Sequence, residues 1–221
     1  MFHELIKLLW GGRNPYIAFN AQRYRSDTQG WNSHHSFLAD TIQSARPAVV
    51  VEVGVWKGGS SIRMADAVKQ HGINAVIIAV DTWLGSWEHW EQSEHFDSLL
   101  FEHGYPSLYY TFLTNVVEAG HSDRIIPLPL DSANAAFVLS RKGIAPNVIH
   151  IDGGHDYDAV MSDLQRWWNL LSPGGVMLVD DYDEEGKIWP SVRDAVKDFL
   201  AQVTHIDFDA SPYKCRFSKP L

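Results

Sequence analysis

The 221-residue sequence has one cysteine, Cys215, which excludes an intramolecular disulfide framework and points to a reducing, cytoplasmic setting. No apolar run approaches the roughly 18 residues that a membrane span requires. Met1 to Trp10 also lacks the basic start and small-residue cleavage site of a secretory signal. Within it Phe2, Leu5, Ile6 and Leu9 follow helical spacing, as expected of a helix docked on the domain or on a second copy of the chain, so a homo-oligomer is left open. Positive charge is scarce: 18 Lys and Arg face 27 Asp and Glu, a formal net charge of −9 with no basic cluster. That balance argues against nucleic acid and against a membrane surface as partners. Internal repeats and Pro- or Ser-rich linkers are absent as well, which leaves one α/β domain over 46–221 behind an N-terminal helical extension over 1–45, a candidate substrate cap.

What is present is a regular alternation of short apolar runs and helix-length segments. Ala48–Val53, Ala75–Asp81, Arg124–Leu130, Asn147–Asp152 and Val176–Asp180 read as buried strands by their β-branched content. Helices are expected from Ser60 or Ser61, acting as cap, to about His71, and over Ser107–Ala119, Ser132–Arg141, Tyr157–Leu171 and Ser191–Leu200. His205–Asp209 and Tyr213–Phe217 flank a Pro-containing turn and read as a hairpin. Strand–helix repetition predicts a doubly wound, mostly parallel sheet with right-handed crossovers. Ligands bind such sheets beyond the carboxyl ends of the strands.

Glu52, Asp81, Asp131, Asp152, Asp180 and Asp181 all fall at or just past those strand ends. Helix capping accounts for Asp131, but poorly for Glu52 or the adjacent pair. The first turn, Glu52-Val53-Gly54-Val55-Trp56-Lys57-Gly58, spaces its glycines as GxxxGG and not as the GxGxxG of dinucleotide sites. Several carboxylates there would also repel a pyrophosphate. They suit a ligand with a sulfonium and an ammonium, S-adenosylmethionine (SAM), with small residues admitting close backbone approach. Asp81 is placed to accept the ribose hydroxyls.

Val50–Val68 resembles the first motif of catechol O-methyltransferase-like enzymes, in which an acid, two glycines four apart and a serine (here Glu52, Gly54, Gly58 and Ser60) open the SAM site. Leu171–Asp181 resembles the turn and fifth strand of the same superfamily, and the likeness runs over roughly 46–217. It implies a class I, Rossmann-like methyltransferase fold whose seven-stranded sheet ends in a reversed strand. It also implies that Trp83 covers the adenine and that Asp131 and Ser132 border its amino group.

Asp152, Asp180 and Asp181 form an all-oxygen set suited to Mg²⁺ or Mn²⁺, because strands four and five should lie side by side. The set resembles the metal acids of catechol-type and macrocin-type O-methyltransferases, and the Asp-Asp pair is closer to the latter. His155, three residues beyond Asp152, stands where catechol-type enzymes carry a lysine base and where macrolide-sugar O-methyltransferases carry a histidine. A base with pKa near neutrality suits proton removal from a hydroxyl. The expected activity is therefore metal-assisted methyl transfer from SAM to a hydroxyl of a small molecule, a sugar or natural-product intermediate.

Two other readings stand beside it: a SAM-binding protein without catalysis, and an iron-dependent oxygenase using His150 and Asp152, an H-x-D pair on one strand face. Cephalosporin hydroxylase-like relatives share the core, so fold alone does not fix the chemistry. The aromatic insertion at about 82–106, with Trp83, Trp87 and Trp90, reads as a lid or as a helix packing its own aromatics. Trp31–His35 offers substrate contacts or simply a polar loop, and Tyr182 and Trp189 are candidate walls of the acceptor pocket.

Overall fold

A computed structural model describes residues 1–91 and 93–221. The chain opens with α1 (Phe2–Trp10), α2 (Ser36–Ala45), β1 (Val49–Val53), α3 (Gly59–Gln70) and β2 (Val76–Val80). The insertion follows as α4 (Trp87–Glu91), α5 (Ser93–Phe96) and a two-stranded hairpin, β3 (Phe101–Glu102) and β4 (Tyr105–Pro106). Next come α6 (Leu108–Glu118), β5 (Ile125–Leu128), α7 (Ser132–Arg141), β6 (Val148–Ile151) and α8 (Tyr157–Leu170). The chain closes with β7 (Val176–Tyr182), α9 (Pro190–Leu200), β8 (Ile206–Ser211) and β9 (Tyr213–Ser218).

The main sheet has seven strands in the order β5-β2-β1-β6-β7-β9-β8, parallel from β5 to β7, with β9 antiparallel to β7 and β8 antiparallel to β9. Period-two alternation divides its core. Val51, Val53, Ile78, Val80, Ile149 and Val179 face α1, α7, α8 and α9, while Val50, Ile77, Ala79, Val148 and Leu178 face α2, α3 and α6. Both faces are covered, as a parallel sheet requires. Helix α1 buries Leu5 and Ile6 in the first of these cores, and the Trp10 indole donates to the Pro127 carbonyl at 2.9 Å.

Two local expectations change. Neither Ser60 nor Ser61 caps α3: the cap is Gly58, at φ +92°, and the Ser61 hydroxyl donates to buried Glu52 instead. Strand β7 runs two residues past Asp180, with a register shift between Asp180 and Tyr182 and Asp181 at φ +57°. That bulge breaks the side-chain alternation that would turn Asp181 away from Asp180.

Candidate functional site

A cavity of about 690 Å³ opens at the carboxyl ends of β1, β2, β6 and β7, within the range of small-molecule sites. Its first half is organised by backbone. Gly54, at φ +81°, brings the end of β1 so close to β6 that a Cβ there would lie 1.8 Å from the Asp152 carbonyl oxygen. The close approach this glycine permits is thus between two strand ends as much as toward a ligand. Asp81 Oδ2 accepts the N–H groups of Val55 and Trp56 at 2.7 and 2.9 Å, and Oδ1 accepts that of Trp83 at 2.7 Å. One carboxylate therefore shapes the glycine turn and faces the cavity. Gly54, Ser60, Asp81, Asp131 and Ser132 all line this half.

Three residues expected to contact a cofactor do not line it. Glu52 is buried behind the turn, where burial pushes its carboxyl up to about 8, and it bonds Ser61 and His150. Gly58 faces Phe112, which a Cβ would meet at 2.9 Å. Trp83, at φ +53°, turns into the core, where its indole donates to the Trp56 carbonyl and packs on Phe112; it is 1% exposed and cannot cover an adenine. A residue without a signal in the sequence enters instead. Asp163 lies on the inward face of α8 among Val160, Leu164 and Trp167, accepts from the Ser132 hydroxyl, and is raised to about 6 by burial.

The second half is assembled from distant segments. Asn32 donates through Nδ2 to Asp180 at 3.3 Å and to Asp181 at 3.4 Å. His155 stacks on Trp189 with ring centroids 4.3 Å apart and 10° between planes. Its Nε2 lies 3.0 Å from Asp181 Oδ2, and its Nδ1 lies 3.1 Å from Glu88 Oε1. Burial alone would lower the imidazole pKa, but its bonds to Asp181 and Glu88 outweigh burial and raise it. Trp31, Asn32, Ser33 and Trp189 line the cavity; Tyr182 does not, being buried in the core with its ring edge-on to the exposed Phe208.

The N-terminal segment is tied over the site by two buried side chains. Lys57 pairs with Asp27 at 2.7 Å, and Asn115 exchanges hydrogen bonds with Ser26, Asp27 and the Lys57 carbonyl.

Beneath the acids a buried polar chain crosses the sheet on the α2–α3 face. Glu52 and His150 are cross-strand neighbours, as are Asp180 and Lys214. His150 Nδ1 meets Glu52 at 3.0 Å and Nε2 meets Lys214 Nζ at 3.0 Å, while Lys214 pairs with Asp180. Burial, with the Lys214 cation alongside, holds the His150 pKa well below its usual value. Both imidazole nitrogens of His150 thus have partners, Glu52 and Lys214.

Glu52, His150 and Asp152 nevertheless bring one ligand atom each within 4.8 Å of one another, a spacing that Asp152, Asp180 and Asp181 do not reach among the described residues. Asp152 has no hydrogen-bond donor among them, and burial, then Asp180 and Asp181, push its pKa well above the carboxylate range. Asp152, Asp180 and Asp181 offer only carboxylate oxygens, the donor type a hard divalent cation takes, with Asp180 paired to Lys214 and Asp181 bonded to His155.

The comparisons with known proteins agree with this architecture. The chain is 28% identical over 185 residues to the 8-demethyl-8-(2,3-dimethoxy-alpha-L-rhamnosyl)-tetracenomycin-C 4'-O-methyltransferase of Streptomyces olivaceus, a match covering 73% of this chain and 60% of that one. It is 25% identical over 151 residues to the uncharacterized protein y4gI of Sinorhizobium fredii, covering 68% of this chain and 15% of that one. The chain therefore spans less than two thirds of the length of either curated relative. Among solved structures, the O-methyltransferase NovP superposes with a TM-score of 0.61 at 18% identity, over 100% of this chain and 98% of that one. The O-methyltransferase TomG from Streptomyces achromogenes, in complex with SAM, superposes with a TM-score of 0.59 at 17% identity, over 94% and 91%. These likenesses establish the fold. A family model described as a methyltransferase domain matches residues 51–182, more than half the chain, from within β1 to the end of β7, and the chain belongs to that methyltransferase family.

Proposed function

We propose that the protein transfers a methyl group from SAM to a hydroxyl of a small, uncharged acceptor, assisted by a divalent cation. The observation that carries this reading is the charge of the cavity wall. Asp81, Glu88, Asp131, Asp152, Asp163 and Asp181 line it, and among the described residues no Lys or Arg does. Such a wall favours a sulfonium cofactor and disfavours a phosphorylated acceptor or a dinucleotide.

In this reading Asp81 holds the glycine turn and faces the ribose, while Asp131, Ser132 and Asp163 border the base. Asp152, Asp180 and Asp181 would hold Mg²⁺ or Mn²⁺, which when bound supplies charge that lowers an acceptor hydroxyl's pKa. His155 accepts the hydroxyl proton, and the oxygen attacks the methyl carbon in line with the departing sulfur. Trp31 and Trp189 give the acceptor flat apolar walls suited to a sugar or phenolic ring. The name of the Streptomyces olivaceus relative describes O-methylation of a rhamnosyl-bearing tetracenomycin, which supports an acceptor of this kind.

Calorimetry with SAM, followed by methyl transfer from labelled SAM to hydroxylated acceptors with and without Mg²⁺, tests the proposal. The expected result is SAM binding, with transfer that depends on the cation. Absence of SAM binding at near-millimolar ligand would overturn it, and transfer indifferent to chelation would remove the metal.

A further inference from the structure

We propose that Asp163, on α8, recognises the base of the cofactor: its Oδ2 accepts the exocyclic amino group of adenine and makes the site prefer adenine to a 6-oxopurine. The proposal rests on the methyl-transfer reading above and selects one residue among the three that border the base. The resemblance to catechol-type enzymes points to Asp131 and Ser132 for that amino group. The hydrogen bonds point to Asp163.

The polarity of the bonds around Ser132 decides between them. Asp163 and Trp167 lie one turn apart on α8, on the face that meets Ser132. An indole N–H only donates, and that of Trp167 donates to Ser132 Oγ at 2.8 Å. The hydroxyl hydrogen therefore points away from Trp167 and is given to Asp163 Oδ1, so none is left for a ligand. Asp131 is committed as the cap of α7: its Oδ1 accepts the Asn134 N–H at 2.9 Å and its Oδ2 the Asn134 side-chain amide at 2.5 Å.

Asp163 is engaged at one oxygen only. Its Oδ2 has no donor among the described residues, and the residue lines the cavity. Gly153 lines the cavity beside it and leaves the approach open, since even a Cβ there would stand 3.2 Å from Oδ2. Burial raises the carboxyl to about 6 against the help of Ser132 and Arg166, and a second donor at Oδ2 offsets that cost. The amino group of adenine is such a donor. The O6 of a 6-oxopurine only accepts and would face the carboxylate lone pairs.

Calorimetry at pH 8 with S-adenosylhomocysteine and S-inosylhomocysteine, which differ in that group, tests the assignment. The wild-type protein is expected to bind the adenosyl compound more tightly by about 10-fold or more. In Asp163→Asn the Ser132 hydroxyl, still oriented by Trp167, selects the amide oxygen and turns Nδ2 toward the cavity. Adenosyl binding should weaken by about 10-fold and inosyl binding should tighten, so the preference is lost or reversed. A merely structural role would weaken both alike, and a wild-type ratio in the variant overturns the proposal. Asp163→Ala, which removes the acceptor without offering a donor, repeats the test should the asparagine variant not fold; an unchanged ratio there overturns it equally. A wild-type protein that binds neither compound overturns the methyl-transfer reading and this assignment with it, whereas discrimination that survives in the variants overturns this assignment alone.

Discussion

The two halves of the cavity are built differently. The half assigned to the cofactor is made of strand-to-helix turns whose backbone is held by a nearby acid: Asp81 bonds Val55 and Trp56 from 26 and 25 residues away. The half assigned to the acceptor is made of side chains that meet across the chain. Asn32 reaches Asp180 over 148 residues, and His155 reaches Glu88 over 67. Backbone-built sites tolerate little variation, because each N–H has one direction. Side-chain-built sites can be rebuilt residue by residue, which is where acceptor preference can diverge within one fold.

Substitutions that load one half and spare the other test this division. The largest expected effect is His155→Ala, which should lower turnover by about 10²–10⁴-fold with SAM affinity within a few-fold. Calorimetry beside steady-state rates measures both, and an equal loss of each would join the two halves. Asp81→Ala should act the other way: losing the acceptor of three backbone N–H groups should weaken SAM binding by about 10–100-fold. An unchanged dissociation constant would show that the turn holds its shape without the carboxylate.

Asp163 gives a smaller, pH-dependent effect. Its folded-state pKa, about 6, lies above the ordinary aspartate value, so the fold binds this proton more tightly than the unfolded chain does. The contribution to stability is then fully present below pH 4 and is lost as pH rises through about 6. Asp163→Asn removes that loss and should stabilise the protein by about 1–2 kcal/mol at pH 8, with the gain vanishing near pH 4. Thermal or urea unfolding at the two pH values is the measurement, and a gain equal at both would assign the effect to packing.

Asn32→Gly should have the smallest effect, a turnover loss of about five-fold with SAM binding unchanged, since its two bonds to the acid pair are long. Glycine keeps the left-handed backbone that Asn32 adopts, at φ +51°, so a larger loss could not be ascribed to strain.

Much of this was legible in the sequence. The β-branched runs and the Gly54 turn located the parallel strands to within two residues at most ends, and the acids tracking strand ends marked the cavity edge. Asp152 and His155 were readable because they share one strand end. Trp83 misled, because a tryptophan two residues past a ligand acid is equally suited to the core, and a positive φ decided its direction. The Ser61 hydroxyl was misread as a cap because nothing local reveals that Glu52 lies buried beside it. Lys214 appears as an ordinary basic residue in a hairpin. Only the antiparallel pairing of β9 with β7 brings it to Asp180.

By itself the sequence determined the α/β class, the strand ends and the sign of the cavity's charge, since these depend on periodicity, glycine placement and local composition. The tertiary structure alone decided which carboxylates face the cavity, which are held beneath it by His150 and Lys214, and that Asn32 and Glu88 close on the acid pair and the imidazole. Those outcomes depend on the directions of side chains from separate strands, a bulge and two loops, and no local sequence pattern encodes a direction in space.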